Sequence, residues 1–298
     1  MKLKGLFSFV SLASACFFAG SAAAMILPPN DLHLQDVPGL AENMTEEEFN
    51  DIIDRVEDYY APIIEEFGAR LRISRRWEDT TVNAYAQQQG RTWIVTMFGG
   101  LARRPEVTPD GFMLVVCHEM GHHVAGFPFS SRWAANEGQS DYFATHACAR
   151  NIWIDDTATN ASFRDTVDET AKMKCDIAYS DIAEQNLCYR SAMAGKSLAV
   201  LLGALRNSEV PTFETPDESE VSRTNNAHPE AQCRLDTYFA GALCSDLEWD
   251  DLAIPGKSVR NRTQAEITSL KYSCSQKNPD HELSMRPKCW FAQKVEAE

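Results

Sequence analysis

The sequence predicts an α+β fold, mainly helical, with a small sheet packed on the helix that carries His118-Glu119-Met120-Gly121-His122. Three observations lead there. Apolar residues recur at helical spacing after Thr45 and again after Thr108, side chains alternate in character between residues 71 and 97, and Gly99-Gly100 separates the two regimes.

The N-terminus has the order of a secretory signal: Lys2 and Lys4, an apolar stretch from Leu6 to Phe18, then the small residues Ser21-Ala22-Ala23-Ala24. Residues 1–24 are therefore assigned to a signal peptide, with the mature start near Met25. A lipoprotein signal at Cys16 fits less well, because Ala13 stands where a large aliphatic residue is usual. The apolar stretch falls short of the roughly 20 residues that span a bilayer, and Ser197 to Leu205 is shorter still. No integral membrane segment is expected after cleavage. The remaining length suits one large domain over residues 25–244, with a C-terminal extension, 245–298, packed on it.

Thr45 and Glu48 form a capping-box pattern that opens a helix with apolar Phe49, Ile52, Ile53, Val56, Tyr60, Ile63, Ile64 and Phe67. Residues 71–97 read as strands with a turn around Gln89-Gly90. The segment 92–97, with Asn83-Ala84-Tyr85-Ala86 beside it, is a candidate edge on which an extended polypeptide could add as a strand; an interior strand is the competing reading. Thr108-Pro109 marks the start of the next helix and Gly126 with Pro128 its end. A further helix is expected from Glu137, and helices over parts of 162–205. Residues 206–227 are polar, acidic and turn-rich, a solvated loop or a cover for a cleft.

Chemistry concentrates in two of these helices. His118 and His122 lie one turn apart, about 40° around the axis, so both imidazoles can reach one ion. Glu119 is placed to work on a water at that ion. Glu137 supplies a third ligand and leaves a fourth position open, as a catalytic zinc site requires. Asp141, one turn on, accepts the outer N–H of a ligating histidine, His118 being the natural partner. His123 and His146 point away from this set by about 100° and about 180° and are expected to cap, pack or face solvent.

Asn83-Ala84-Tyr85-Ala86, His118 to His122, Glu137 to Asp141, and His228-Pro229 with Arg234 follow one another as NAxA, HExxH, ExxxD and HPxxxxR. In that order they resemble the zinc metallopeptidases that include HtpX and the CAAX prenyl proteases. The resemblance covers about residues 45–240. It implies a zincin-like (gluzincin) domain, with one Zn2+ per chain held by His118, His122 and Glu137. Only fourteen residues separate His122 from Glu137, fewer than that family usually inserts, so its substrates do not carry over. In such a site His228 or Arg234 would donate to the oxyanion or brace Glu137; a histidine-proline helix start with a surface arginine is the plainer reading.

The expected function is hydrolysis of peptide bonds in exported or envelope proteins, in the periplasm or outside the cell, with Glu119 moving the proton. A catalytically silent binding or chaperone-like module and a zinc amidohydrolase acting on cell-wall peptides are the alternatives. With 43 acidic and 28 basic residues the chain carries a net charge of −15, which disfavours nucleic acid as a partner. A polypeptide substrate is the expected partner, and no oligomeric state is assigned. Eight cysteines remain after Cys16, an even number that suits disulfides in an exported chain. Sequence-local pairing predicts Cys175–Cys188, Cys233–Cys244 and Cys274–Cys289, with Cys117 and Cys148 either free or bridged.

Overall fold

The computed structural model describes residues 23–34, 43–245, 249–274 and 283–294. The apolar stretch of the signal and Cys16 lie outside the described residues. Within them the chain is α+β, with a four-stranded mixed sheet and helices that account for most of the rest.

A two-residue strand, β1 (Ala24–Met25), precedes helix α1 (Glu46–Glu66). Thr45 and Glu48 close the capping box from both sides: the Thr45 hydroxyl accepts the Glu48 N–H, and the Glu48 carboxylate accepts the Thr45 N–H at 2.8 Å. Phe49, Ile53, Val56, Tyr60 and Ile64 form the buried stripe of this helix. Strands β2 (Arg70–Arg76), β3 (Ala84–Gln89) and β4 (Thr92–Phe98) follow. Gly90, with φ at +60°, and Arg91 join β3 to β4 in a tight hairpin, a backbone conformation that favours glycine.

The strand order is β1-β3-β4-β2, with β2 and β4 parallel and the other pairs antiparallel. This corrects the expectation for residues 92–97. β4 is interior, paired on both sides, and cannot receive an added strand. The edge strands are β1 and β2: the side of β3 away from β4 is itself taken up, its Tyr85 and Ala86 pairing with Met25 and Ala24 of β1.

After the short α2 (Gly99–Ala102), helix α3 (Pro109–Val124) runs through the centre of the molecule with Pro at its first turn and the Thr108 hydroxyl capping the Gly111 N–H. It stops where the sequence indicates: Gly126 takes φ +79°, and a cis Phe127-Pro128 bond follows. Its two sides meet α1 and the sheet on one hand and α8 (Ile182–Arg206) on the other, so every residue from Gly111 to Val124 is buried. Helix α4 (Glu137–Phe143) continues into a π-helical turn, Ala144–Ala149, and α5 (Arg150–Trp153). Small helices α6 (Thr157–Ser162) and α7 (Glu169–Ala178) lead to α8; α9 (Ala231–Ala242) and α10 (Arg262–Ser269) complete the set. No helix among the described residues is long and apolar enough to cross a membrane.

Four disulfides are present among the described residues. Cys117–Cys148 ties α3 to the π-helical turn and Cys175–Cys188 ties α7 to α8. The other two correct the local pairing: Cys233 bonds Cys289 and Cys244 bonds Cys274. They reach from α9 and from the second residue past its end into the C-terminal segment. Cys233 and Cys244 do not pair with each other because Cys233 lies in the first turn of α9 and Cys244 just past its far end. These bridges, the insertion of Trp290 against Gly138, and the Arg286 contacts to Gln139 and the Phe127 carbonyl fasten residues 283–294 onto the site-bearing helices. Four disulfides suit an oxidising compartment. Residues 207–230 contain no helix or strand, and Val221 and Asn225 donate to the carbonyls of Lys288 and Trp290, so the loop is pinned to the C-terminal segment.

Candidate metal centre

His118 and His122 present their rings from one face of α3, with ring centroids 4.7 Å apart and planes nearly perpendicular. Opposite them, Asn136 caps α4 by accepting the Gln139 N–H at 2.9 Å, which sets Glu137 as the first helical residue and turns its carboxylate towards the imidazoles. Gly121 lets the two helices approach: a Cβ there would lie 3.0 Å from the Ser140 Cα.

The resulting distances test whether these residues fit a metal. Glu137 oxygens lie 3.3 Å from His118 Nε2 and 3.7 Å from His122 Nε2, and one ligand atom from each residue falls within 4.8 Å of the others. Ligands about 2.0–2.1 Å from a tetrahedral zinc are separated by roughly 3.3 Å, so the spacing matches. The chemistry matches too. His118 Nε2, His122 Nε2, Glu137 Oε2 and both Glu119 oxygens are buried without hydrogen-bond partners among the described protein groups, a concentration of unmet polar atoms that a folded core does not otherwise tolerate. The set therefore fits a divalent ion, and His118, His122 and Glu137 would hold it. A second group, Asp217 with Cys233 and Cys289, has both sulfurs in a disulfide and is no ligand set.

The outer nitrogens are tied down. His118 Nδ1 donates to Asp141 at 2.7 Å, as the spacing predicts. His122 Nδ1 donates to the Ala135 carbonyl at 2.9 Å, with the Ser140 hydroxyl at 3.1 Å. Both bonds leave Nε2 facing the centre. Burial would depress the His118 pKa, but the Asp141 and Glu137 carboxylates outweigh it and push it up to about 9. For His122 burial wins, and its pKa falls to about 4. Glu137, despite burial that would raise it, is lowered by His122, His118 and His228. Glu119 goes the other way: burial, only partly offset by His118, pushes it up to about 8.

Arg234 is fully buried, not the surface arginine of the plainer reading. Its Nε and Nη2 each reach a different Asp141 oxygen at 2.6 Å, and its Nη1 donates to the Ile26 carbonyl at 2.7 Å. It braces Asp141 rather than Glu137. Burial opposes the charge on both partners, yet each holds the other ionised: Asp141 well below the usual carboxylate range and Arg234 above its own. His228, at the start of the segment that leads into α9, places Nε2 3.5 Å from Glu137 Oε2 and 2.7 Å from the Met25 carbonyl oxygen, to which it donates. Burial lowers its pKa, with the Glu137 carboxylate acting against it.

The two other histidines flanking the motifs lie outside the set. His123 is stacked between Trp93 and Trp133 and meets the Ile94 carbonyl; His146 donates to the Tyr142 carbonyl in the π-helical turn. Both pack, as expected, and neither faces solvent. Sequence reasoning missed the Ala135 carbonyl, Ser140 and the Asn136 cap. Ser140 and Asn136 flank Glu137 and Asp141 and were open to discovery; a backbone carbonyl leaves no mark in a sequence. Compared with known proteins, the chain matches no family model, no curated protein and no solved structure at a significant level.

Proposed function

We propose that this chain is a zinc-dependent metalloendopeptidase with a gluzincin-type site, acting on exported or envelope polypeptides. The observation that carries the reading is the convergence of three unpartnered ligand atoms on one point, with the unengaged Glu119 carboxyl beside it. A zinc ion bound there would supply Lewis acidity, acidifying a water towards a pKa of about 7 and polarising a carbonyl. The chain supplies the rest. Glu119 takes the proton of the attacking water and returns it to the leaving amine. His228 donates through Nε2 to the carbonyl that becomes the oxyanion, and Asp141 fixes the His118 tautomer while Arg234 fixes Asp141.

Purified protein should hold one zinc per chain and cleave casein, with activity lost to a chelator and restored by zinc. Glu119→Gln should keep the metal and lose nearly all turnover; undiminished proteolysis in that variant would refute the role. A catalytically silent binding module is the second reading, favoured by one observation: residues 24–27 cover the centre. Zinc-loaded protein that never cleaves casein supports it. Digestion of peptidoglycan but not casein would point instead to the amidohydrolase.

A further inference from the structure

The cover over the centre is extended chain, and its polar groups are held by site residues. Ala24 and Met25 pair antiparallel with Ala86 and Tyr85 on the outer edge of β3. The Met25 carbonyl accepts from His228 Nε2 at 2.7 Å. The Ile26 N–H donates to the Ala84 carbonyl at 3.3 Å, and the Ile26 carbonyl accepts from Arg234 at 2.7 Å. Asn83 brackets Leu27, accepting its N–H at 3.3 Å and donating to its carbonyl at 3.4 Å. Ile26 and Leu27 are each 2 % exposed, so their side chains are buried rather than merely laid over the opening. Pro28 and Pro29 then end the pairing, since proline has no N–H to offer.

An edge strand that served only to complete a sheet would spend its hydrogen bonds on its neighbour's backbone. Here His228, Arg234 and Asn83 take several of them, and two of those side chains also touch Glu137 or Asp141. One peptide bond is singled out. Between Met25 and Ile26, the carbonyl oxygen meets the histidine that also lies against the ligand carboxylate, and the next carbonyl, that of Ile26, is held by the arginine that braces Asp141.

We propose that Met25–Ile26 is a cleavage site of the protein's own centre, hydrolysed within the same chain. The inference rests on the peptidase reading above. Water oxygen adds to the Met25 carbonyl carbon while Glu119 takes a water proton. Glu119 then delivers that proton to the Ile26 nitrogen, the C–N bond breaks, and the remaining water proton passes from the new carboxyl group to the amine, so the products are a Met25 carboxylate and a chain beginning at the Ile26 ammonium. The reaction consumes one water and involves no redox change.

The test uses the full chain, made with a C-terminal tag in an oxidising cell-free system without signal peptidase and supplied with zinc. Intact mass and N-terminal sequencing follow the wild type and Glu119→Gln. The expected wild-type product begins at Ile26, to an extent unchanged by tenfold dilution, while Glu119→Gln stays uncut with one zinc bound. A second readout needs no turnover: in metal-free Glu119→Gln, the Ile26 and Leu27 amides should exchange at least about tenfold more slowly than in a free peptide of residues 20–32. Wild type that degrades casein but leaves Met25–Ile26 intact overturns the inference alone, as does unprotected exchange at both amides. Wild type that binds zinc and cuts neither overturns the peptidase reading and the inference with it.

Discussion

Arg234 and Asp141 form a bidentate ion pair with no solvent contact, and the same Asp141 oxygen that meets Arg234 Nη2 at 2.6 Å accepts the His118 Nδ1–H at 2.7 Å. A charge on α9 is thereby linked to the orientation of a candidate metal ligand on α3 through one carboxylate on α4. The pair is a poor source of net stability, because both ions give up their hydration. Its contribution is geometric: it holds three helices in the register that the ligand set needs.

Asp141→Asn should therefore fail twice. Leaving Arg234 buried without its anion costs about 3–5 kcal/mol, and loss of the His118 brace lowers metal affinity by about 10–100-fold. Urea unfolding and a zinc competition titration measure the two effects separately. A variant with wild-type stability would show that the guanidinium finds another partner.

Zinc should stabilise the fold, because the ligand atoms converge only in the folded state. At a free zinc concentration about 100 times the dissociation constant the gain is about 2.7 kcal/mol. Thermal unfolding with and without zinc checks this, and His122→Ala should abolish the shift. An equal shift in that variant would place the ion elsewhere.

Gly138 is a second point of control. A Cβ there would meet Trp290 Cδ2 at 2.2 Å, and Trp290 is fully buried. Gly138→Ala should cost about 1–3 kcal/mol by overpacking and, since the residue follows Glu137 directly, weaken zinc binding as well. Gly90→Ala is the contrast: nothing lies within 4 Å of its Cβ, so it should strain the backbone at φ +60° and leave zinc affinity unchanged. Calorimetry of both variants separates packing from backbone strain.

Much of the centre was legible because its residues obey helical arithmetic. His118 and His122 share a face by spacing alone, and Asp141 meets His118 because Glu137 and Asp141 are one turn apart. The capping signals at Thr45 and Thr108 were equally readable, each side chain needing only its own next turn. What escaped was long-range. Strand order decides that β4 is interior, and the alternation in residues 92–97 looks the same whether one edge or two are paired. The bridges Cys233–Cys289 and Cys244–Cys274 depend on where the C-terminal segment returns to α9. The occupancy of the β3 edge by Ala24–Met25 joins residues about sixty positions apart, with no periodic signal in so short a strand.

His146 offers a pH test away from the metal ligands. Its ring packs against Tyr142, Phe143 and Trp249, and its Nδ1 donates to the Tyr142 carbonyl at 2.9 Å. Burial, reinforced by Arg286 and Arg150 and only partly opposed by that hydrogen bond, lowers its pKa from the usual 6.5 to about 4. Above pH 6.5 the ring is neutral in folded and unfolded chains alike and contributes no pH dependence. Between about 6.5 and 4 the unfolded chain takes up a proton that the folded one refuses, so stability falls as pH falls; below about 4 both are charged and the loss stops. At about 1.4 kcal/mol per unit, the full effect is on the order of 3 kcal/mol. His146→Gln keeps a donor for the Tyr142 carbonyl but does not titrate. The difference in unfolding free energy between wild type and His146→Gln should therefore shift by that amount between pH 7.5 and pH 4, with wild type losing more. Parallel profiles would mean that the imidazole is protonated inside the fold and that Tyr142 and Trp249 accommodate its charge.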